Sequence, residues 1–462
     1  MLPARRSSRI VPILAALALL VLVPAGRVAS AASGVGLVKD ITPGPGFLGI
    51  GYLTDVGGAL YFAANDGAHG RELWKSDGTK ADTMMLKDIW PGPDASRPLL
   101  GVTDVSGTLY FTADDGTHGY ELWKSDGTEA GTVMVKDIWP GSGASGRYSQ
   151  LSDVGGLLYF TADDGTHGCE LWKSDGTDAG TGMVKDIWPG SDASGPWYLT
   201  DVGGTLYFAA DDGVHGTALW KSDGTEAGTV IVKDVSPGSD ESGPYSGPHS
   251  LTEVRGLLYF AADDGTHGHE LWKSDGTEAG TVMVKDIWPG SHYSNPYSLT
   301  EIRGLLYFAA DDGTHGHELW KSDGTERGTV MVKDIHPGWP AYGPSGLTEV
   351  GRSLYFVAWD GTHGYQLWRS NGTDASTVMV SDIQPGGFGP NWLTAVGGTL
   401  YFSAKDRAHG RELWKSDGTE AGTVMVADLI RGERSSNPEY ISEVGGTVFF
   451  IANVKLWSLR AG

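Results

Sequence analysis

The stretch from Ala262 to Ser291, ADDGTHGHELWKSDGTEAGTVMVKDIWPGS, decides the fold. It returns with small changes at Ala113, Ala162, Ala210 and Ala310, and more loosely at Ala64, Ala358 and Ala404. The tryptophan of its Leu-Trp pair marks the period: Trp74, Trp123, Trp172, Trp220, Trp272, Trp320, Trp368, Trp414 and Trp457 stand 43 to 52 residues apart. Self-similarity at such a spacing signals an array of identical supersecondary units.

Within the fifth copy, four short runs of β-forming residues alternate with turn residues. They start at Ser250 (SLTEV), Leu257 (LLYFAAD), His269 (HELWKSD) and Thr281 (TVMVKDI). Leu271 and Trp272 are neighbours, so on a strand they face opposite sides of the sheet, and both sides must be buried. Four strands buried on both faces, repeated around 48 residues apart, predict an all-β chain folded as a single β-propeller. An open solenoid is the rival, and the chain ends argue against it. VGLVKDITPG after residue 34 supplies only a fourth strand, while the C-terminal YISEVGGTVFFIANVKLWSLRAG supplies only the first three. Joined, they complete a ninth blade with Val35 to Ile41 as its outer strand, and closure removes the two sheet-stack ends that a solenoid would leave exposed. The expectation is nine four-stranded blades, eight complete repeats and one composite, with eight blades as the alternative. The phase puts the LTEV strand innermost and the VMVKDI strand at the rim.

Residues 1–32 read as a secretory leader: Arg5, Arg6 and Arg9 precede an apolar run from Val11 to Ala25 and a small-residue cleavage site near Ala29 to Ala31. The run is shorter than the roughly 20 residues that span a bilayer. The expectation is therefore a secreted, extracellular or periplasmic protein in which residues 33–462 form the propeller, with no membrane insertion and a monomeric state. A net charge of −23 excludes nucleic acid as a partner, since so acidic a surface repels phosphate backbones. Cys169 is the only cysteine, so no intrachain disulfide can form and packing must hold the ring.

The ELWKSDGTEAGT text at Glu121 and Glu270, nearly repeated at Glu72, Glu170, Glu318 and Glu412, resembles the ELWxxDGT-repeat family of secreted bacterial proteins. The resemblance covers essentially the whole chain after the leader. It implies a secreted repeat protein of propeller type from a bacterium, and no particular chemistry. The glutamate is replaced at Ala218, Gln366 and Lys455, and Asn371 stands for the aspartate in RSNGT. A looser likeness of ADDGTHGHELW to the tryptophan-docking motif of quinoprotein dehydrogenases reads as shared blade-packing grammar, because no single set of quinone ligands stands out.

Candidate chemistry lies in three places. The DDGTHG turns join two carboxylates and an imidazole, which makes Asp115, Asp164, Asp212, Asp264 and Asp312 candidate calcium ligands, with Asx-type turn capping as the structural alternative. The tryptophans of the IWPG segments, Trp90, Trp139, Trp188 and Trp288, begin the variable loops, and with Tyr293 and Tyr297 they are candidate stacking residues for a ligand. The inner strands carry Asp55, Asp104, Asp153, Asp201, Glu253, Glu301, Glu349 and Glu443, either as an acidic ring lining the channel or as caps of the following turns. The variable loops, such as SGPWYLT, SNPYSLT and GFGPNW, are rich in Tyr, Trp, Pro, Ser and Gly, a paratope-like mixture. Catalysis needs a few groups in unlike environments, and here nearly every acid and histidine belongs to a ring of equivalents. The expectation is thus a non-enzymatic protein that binds glycan or protein through its loop face, calcium-assisted, with no other cofactor. The alternatives are a structural matrix or surface-coat protein, or a hydrolase or lyase with its site in the irregular loops.

Overall fold

The computed structural model describes residues 34–41, 49–98, 102–146, 150–237, 247–337 and 343–460; the leader 1–32 lies outside them. The architecture is a nine-bladed β-propeller, one blade beyond the usual upper limit of eight. Blade 5 is representative: His249–Val254 innermost, then Leu257–Asp263, His269–Ser274 and Val282–Lys285 at the rim, all antiparallel. The ninth blade is the composite one. Val35–Lys39 pairs antiparallel with Lys455–Arg460, so the first described strand is the outer strand of a sheet whose inner three come from the C-terminus.

The Leu-Trp alternation positions the core as the sequence requires. Leu271 packs with Val254, Tyr259, Val284 and Ile287 against Leu306, Phe308, Ala310 and Trp320 of blade 6. Trp272 faces the other way, into Val202, Tyr207, Leu219 and Val232 of blade 4. Nine such clusters occupy the nine interfaces, and the one between blades 9 and 1 contains Val38 and Ile41 with Leu60, Phe62 and Trp74.

Lysines tether blade to blade. Lys124 donates to the carbonyl of Gly176 and Lys273 to that of Gly324, each at 2.8 Å. The rim lysine Lys285 donates to the Thr329 carbonyl at 3.0 Å while lying over the Trp320 ring at 5.7 Å, a cation–π contact. Lys39 of the N-terminal strand repeats this on Thr83 and Trp74, at 2.6 and 5.6 Å. The constant text ELWKSDGT…VMVKD is thus interface text.

Candidate functional site

The repeated turns are built for shape. In DDGTHG of blade 5, Asp263 accepts from the Gly265 N–H at 2.7 Å, and Asp264 accepts from the Thr266 and His267 N–H groups at 2.9 Å. The other oxygen of Asp264 meets the His267 ring at 2.8 Å. Burial pushes Asp264 up, but these hydrogen bonds and the imidazole win and hold it below the usual carboxylate range. Asp115, Asp164, Asp212 and Asp312 make the same contacts to His118, His167, His215 and His315. These aspartates cap their own turns, and among the described residues no group of three or more His, Cys, Asp or Glu gathers around a common point.

The inner-strand acids do the same at the other end. Asp55, Asp104, Asp153, Asp201 and Glu253 accept from the N–H groups of Gly58, Gly107, Gly156, Gly204 and Gly256 at 2.6 to 2.9 Å. They serve as turn caps.

The tryptophans of the IWPG segments are half-buried. Each covers the turn of the following blade: a Cβ on Gly116, Gly165, Gly213 or Gly313 would lie 2.3 to 2.5 Å from the ring of Trp90, Trp139, Trp188 or Trp288. His336 takes the same place on Gly361. These rings therefore fill a gap between blades and demand glycine there. Tyr293 is 49% exposed, with its ring 5.4 Å from that of His269. Tyr297 is half-buried against His317 at 5.5 Å, and burial pushes its hydroxyl up to about 12. The six candidates are dispersed over several blades.

What breaks the nine-fold monotony lies elsewhere. At the end of the inner strand nearest the DDGTHG turns, one residue in each of seven blades takes a left-handed backbone among the described residues: Tyr52, Tyr198, Ser250, Ser298, Gly346, Trp392 and Tyr440, with φ between 50° and 63°. The ladder shifts register there, as between Gly51 and Thr54, which marks a bulge that re-aims a side chain. A positive φ is strained for a bulky residue, and such strain clusters at binding sites. In blades 8, 9 and 1 this position is Trp392, Tyr440 and Tyr52. Their rings run in series, Trp392 to Tyr440 at 4.7 Å and Tyr440 to Tyr52 at 5.9 Å, both tilted. Trp392 and Tyr52 are each 41% exposed.

The surroundings of this arc are equally exceptional. Blade 9 replaces the six-residue DDGTHG turn by the two residues Asn453 and Val454. Val454 is 43% exposed, and Phe388, in the segment leading to Trp392, is 87% exposed. Arg411 holds that segment in place, donating to the carbonyls of Phe388 and Gly389 and to the Asn391 side chain at 3.2 to 3.3 Å. Arg71, at the equivalent position of blade 1, lies over the Tyr52 ring at 5.5 Å. None of the three arc residues was among the candidates drawn from the repeat. The signal was present as departure: GFGPNW stood among the variable loops, Ala395 alone lacks the inner-strand acid, and FFIANVKLW lacks the long turn.

No family model matches the chain, and a search of the curated proteins finds no match. Solved structures do match. A puromycin hydrolase is 14% identical over 79% of this chain and 60% of its own, with a TM-score of 0.38. A prolyl endopeptidase is 13% identical over 80% and 54%, at 0.42, and a puromycin-hydrolyzing peptidase of Mycobacterium tuberculosis is 11% identical over 87% and 58%, at 0.42. The chain spans between 54 and 60% of the length of these proteins. All three are hydrolases, so the expectation of a non-enzymatic protein binding glycan or protein through its loop face is corrected and set aside. At these identities and scores the likeness speaks to fold alone, and no residue of those enzymes is carried onto this chain.

Proposed function

We propose that the chain is a recognition propeller that takes a flat, ring-bearing molecule at the axial mouth over blades 8, 9 and 1, as a substrate is taken. The observation that supports this reading is the arc Trp392, Tyr440 and Tyr52: three aromatic rings in contact, two of them substantially exposed, held by strained backbone at a place where the repeat is broken. Exposed aromatics held on rigid strands are costly to leave in water and favour stacking partners. Secretion after removal of residues 1–32, and membership of the ELWxxDGT-repeat family, belong to the same reading; the first is checked by sequencing the N-terminus of the exported protein.

The test is calorimetric titration with indole and 3-phenylpropanol as neutral ring probes. Stacking geometry contributes about 0.5–1.5 kcal/mol per aromatic pair beyond area burial, so Trp392→Ala should weaken binding roughly two- to tenfold, while Trp288→Ala should leave it unchanged. Equal affinities in the parent and in Trp392→Ala with Tyr440→Ala would overturn the reading. The peptidase likeness enters only in the choice of a second readout: the same samples are incubated with aromatic peptides, and cleavage is followed by mass.

A further inference from the structure

The arc has an ionic partner built beside it that the ring reading leaves unused. Arg71 opens the third strand of blade 1, where other blades carry Tyr120, Cys169, Thr217, His269, His317 or Tyr365. Its side chain is half-buried, and among the described residues its guanidinium enters no salt bridge and no hydrogen bond; the buried Nε is without a partner. Arg411, the matching residue of blade 8, is by contrast occupied with backbone carbonyls and Asn391. The buried Nε–H loses water without gaining an acceptor, which is costly, while the terminal nitrogens are left free to receive one.

The local sequence makes room for it. Gly51 precedes the bulge residue in blade 1, where blades 4, 5 and 6 carry Trp197, His249 and Tyr297. A Cβ on Gly51 would lie 2.6 Å from an Arg71 terminal nitrogen, so the glycine leaves room for the guanidinium to lie along the inner strand in its present position. That places it over the Tyr52 ring, next to the Tyr440 ring that bridges Tyr52 to Trp392. The inner-strand acids of blades 1 and 9, Asp55 and Glu443, are at the far end of their strands and are committed to turn N–H groups. Arg97, exposed, is joined to the Arg71 carbonyl through its own backbone N–H.

We propose that the ligand of the axial mouth is an aromatic carboxylate: a flat ring stacked on the Trp392–Tyr440–Tyr52 arc with a carboxylate a few bonds away, received by the guanidinium of Arg71. Planar guanidinium and planar carboxylate meet through two parallel N–H to oxygen bonds, the geometry that distinguishes Arg from Lys. In a chain of net charge −23 the general field repels anions, so selectivity for one must come from such a local, half-buried cation.

This inference rests on the ring reading above, and the experiment separates the two. Calorimetric titrations compare 3-phenylpropanoate with 3-phenylpropanol, which share the ring and chain and differ in the charged group. The parent should bind the acid at least tenfold tighter than the alcohol. Arg71→Met, which keeps the apolar stem, should remove that preference while retaining the alcohol's affinity, and Arg71→Lys should restore only part of it. Trp392→Ala should weaken both probes together. Equal binding of acid and alcohol by the parent, or a preference that survives in Arg71→Met, overturns the carboxylate inference and leaves the ring reading in place. Failure of both probes to bind overturns both. Circular dichroism melts of Arg71→Met guard against misfolding; because the guanidinium has no salt bridge or hydrogen bond and the methionine keeps the apolar stem, they should stay close to the parent's.

Discussion

At the scale of single residues, the glutamate of ELWKSDGT is the most informative. Glu270 is fully buried and accepts from the N–H groups of Ile287 and Trp288 and the hydroxyl of Ser294, which pins the loop between blades. Burial raises its pKa to about 7, as it does for Glu72, Glu121 and Glu318. Beside it, Asp286 has a buried oxygen without a hydrogen-bond partner, and its charge pushes Glu270 further up. Blade 7 displays the alternative: Gln366 donates to the matching Asp382 at 3.0 Å and accepts from the Ile383 N–H at 3.1 Å. Glu270→Gln should therefore fold with a melting temperature close to the parent's at pH 7.5, whereas Glu270→Ala, which orphans buried N–H groups, should cost about 1–3 kcal/mol. A Gln variant as damaged as the Ala variant would refute this account. The pH dependence has a definite sign. Groups whose folded pKa is raised, these glutamates and the turn histidines such as His267, make the folded chain bind more protons than the unfolded one. Their contribution is complete below the unfolded values and is lost as pH rises through the folded ones, about 7 for these glutamates. Aspartates held low, such as Asp264, contribute above their unfolded value near 4 and lose it in acid. Melting temperature should thus be higher at pH 5.5 than at pH 8 and fall again below about pH 4; a melt that rises steadily from pH 5.5 to 8 would contradict it. Cys169 belongs to the same logic: burial first, then Asp163 and Glu170, push its thiol up to about 11, so a thiol-reactive probe at pH 8 should label the native chain far more slowly than the unfolded one.

At the scale of strands and turns, the two kinds of tryptophan separate. Trp272 sits in an interblade core, and Trp272→Ala should cost about 3–5 kcal/mol through the cavity it leaves. Trp288 is a half-buried cover over Gly313, and its removal should cost about 1–2 kcal/mol, a partial loss of buried apolar area. Equal losses in thermal melts would mean that the two positions are not distinguished by burial. How far these elements could be read from sequence follows from what repetition records. Leu-Trp adjacency forces burial of both sheet faces, and the split terminal blade forces closure, so strand order, phase and ring were legible. Turn capping by the DDGTHG aspartates was legible as one of two readings, because the same acids suit a turn or a cation. The role of Trp90, Trp139, Trp188 and Trp288 was not: their partner is a glycine 25 or so residues onward in the next blade, a contact that no local pattern expresses. The arc of Trp392, Tyr440 and Tyr52 was hidden for the opposite reason, since its members come from three blades and one of them is joined to the others only when the ring closes.

At the scale of the molecule, closure is what turns nine similar sheets into one with a distinct side. Blade 9 is assembled from both ends of the described chain, its long turn is missing, and the aromatic arc crosses it; ring closure and the candidate site therefore share a blade, the closing strand at its outer edge and the arc at its inner edge. Deleting residues 34–41 removes a rim strand, the buried side chains of Val38 and Ile41, and the Lys39 tether to Thr83 and Trp74. Two fully buried aliphatic side chains alone correspond to about 3–6 kcal/mol. Because every blade is held only by its neighbours, the loss should be felt by the ring as one lowered, broadened melting transition. A synthetic peptide of residues 34–41 added in excess should raise that transition again by mass action, since it binds the folded ring and not the unfolded chain. The truncated ring should also bind 3-phenylpropanol more weakly, because Tyr440 and Tyr52 meet only across the interface that the deletion loosens. A truncated chain that melts like the parent would show that the ring does not depend on its N-terminal strand, and one that melts lower but keeps its full affinity would separate the site from closure.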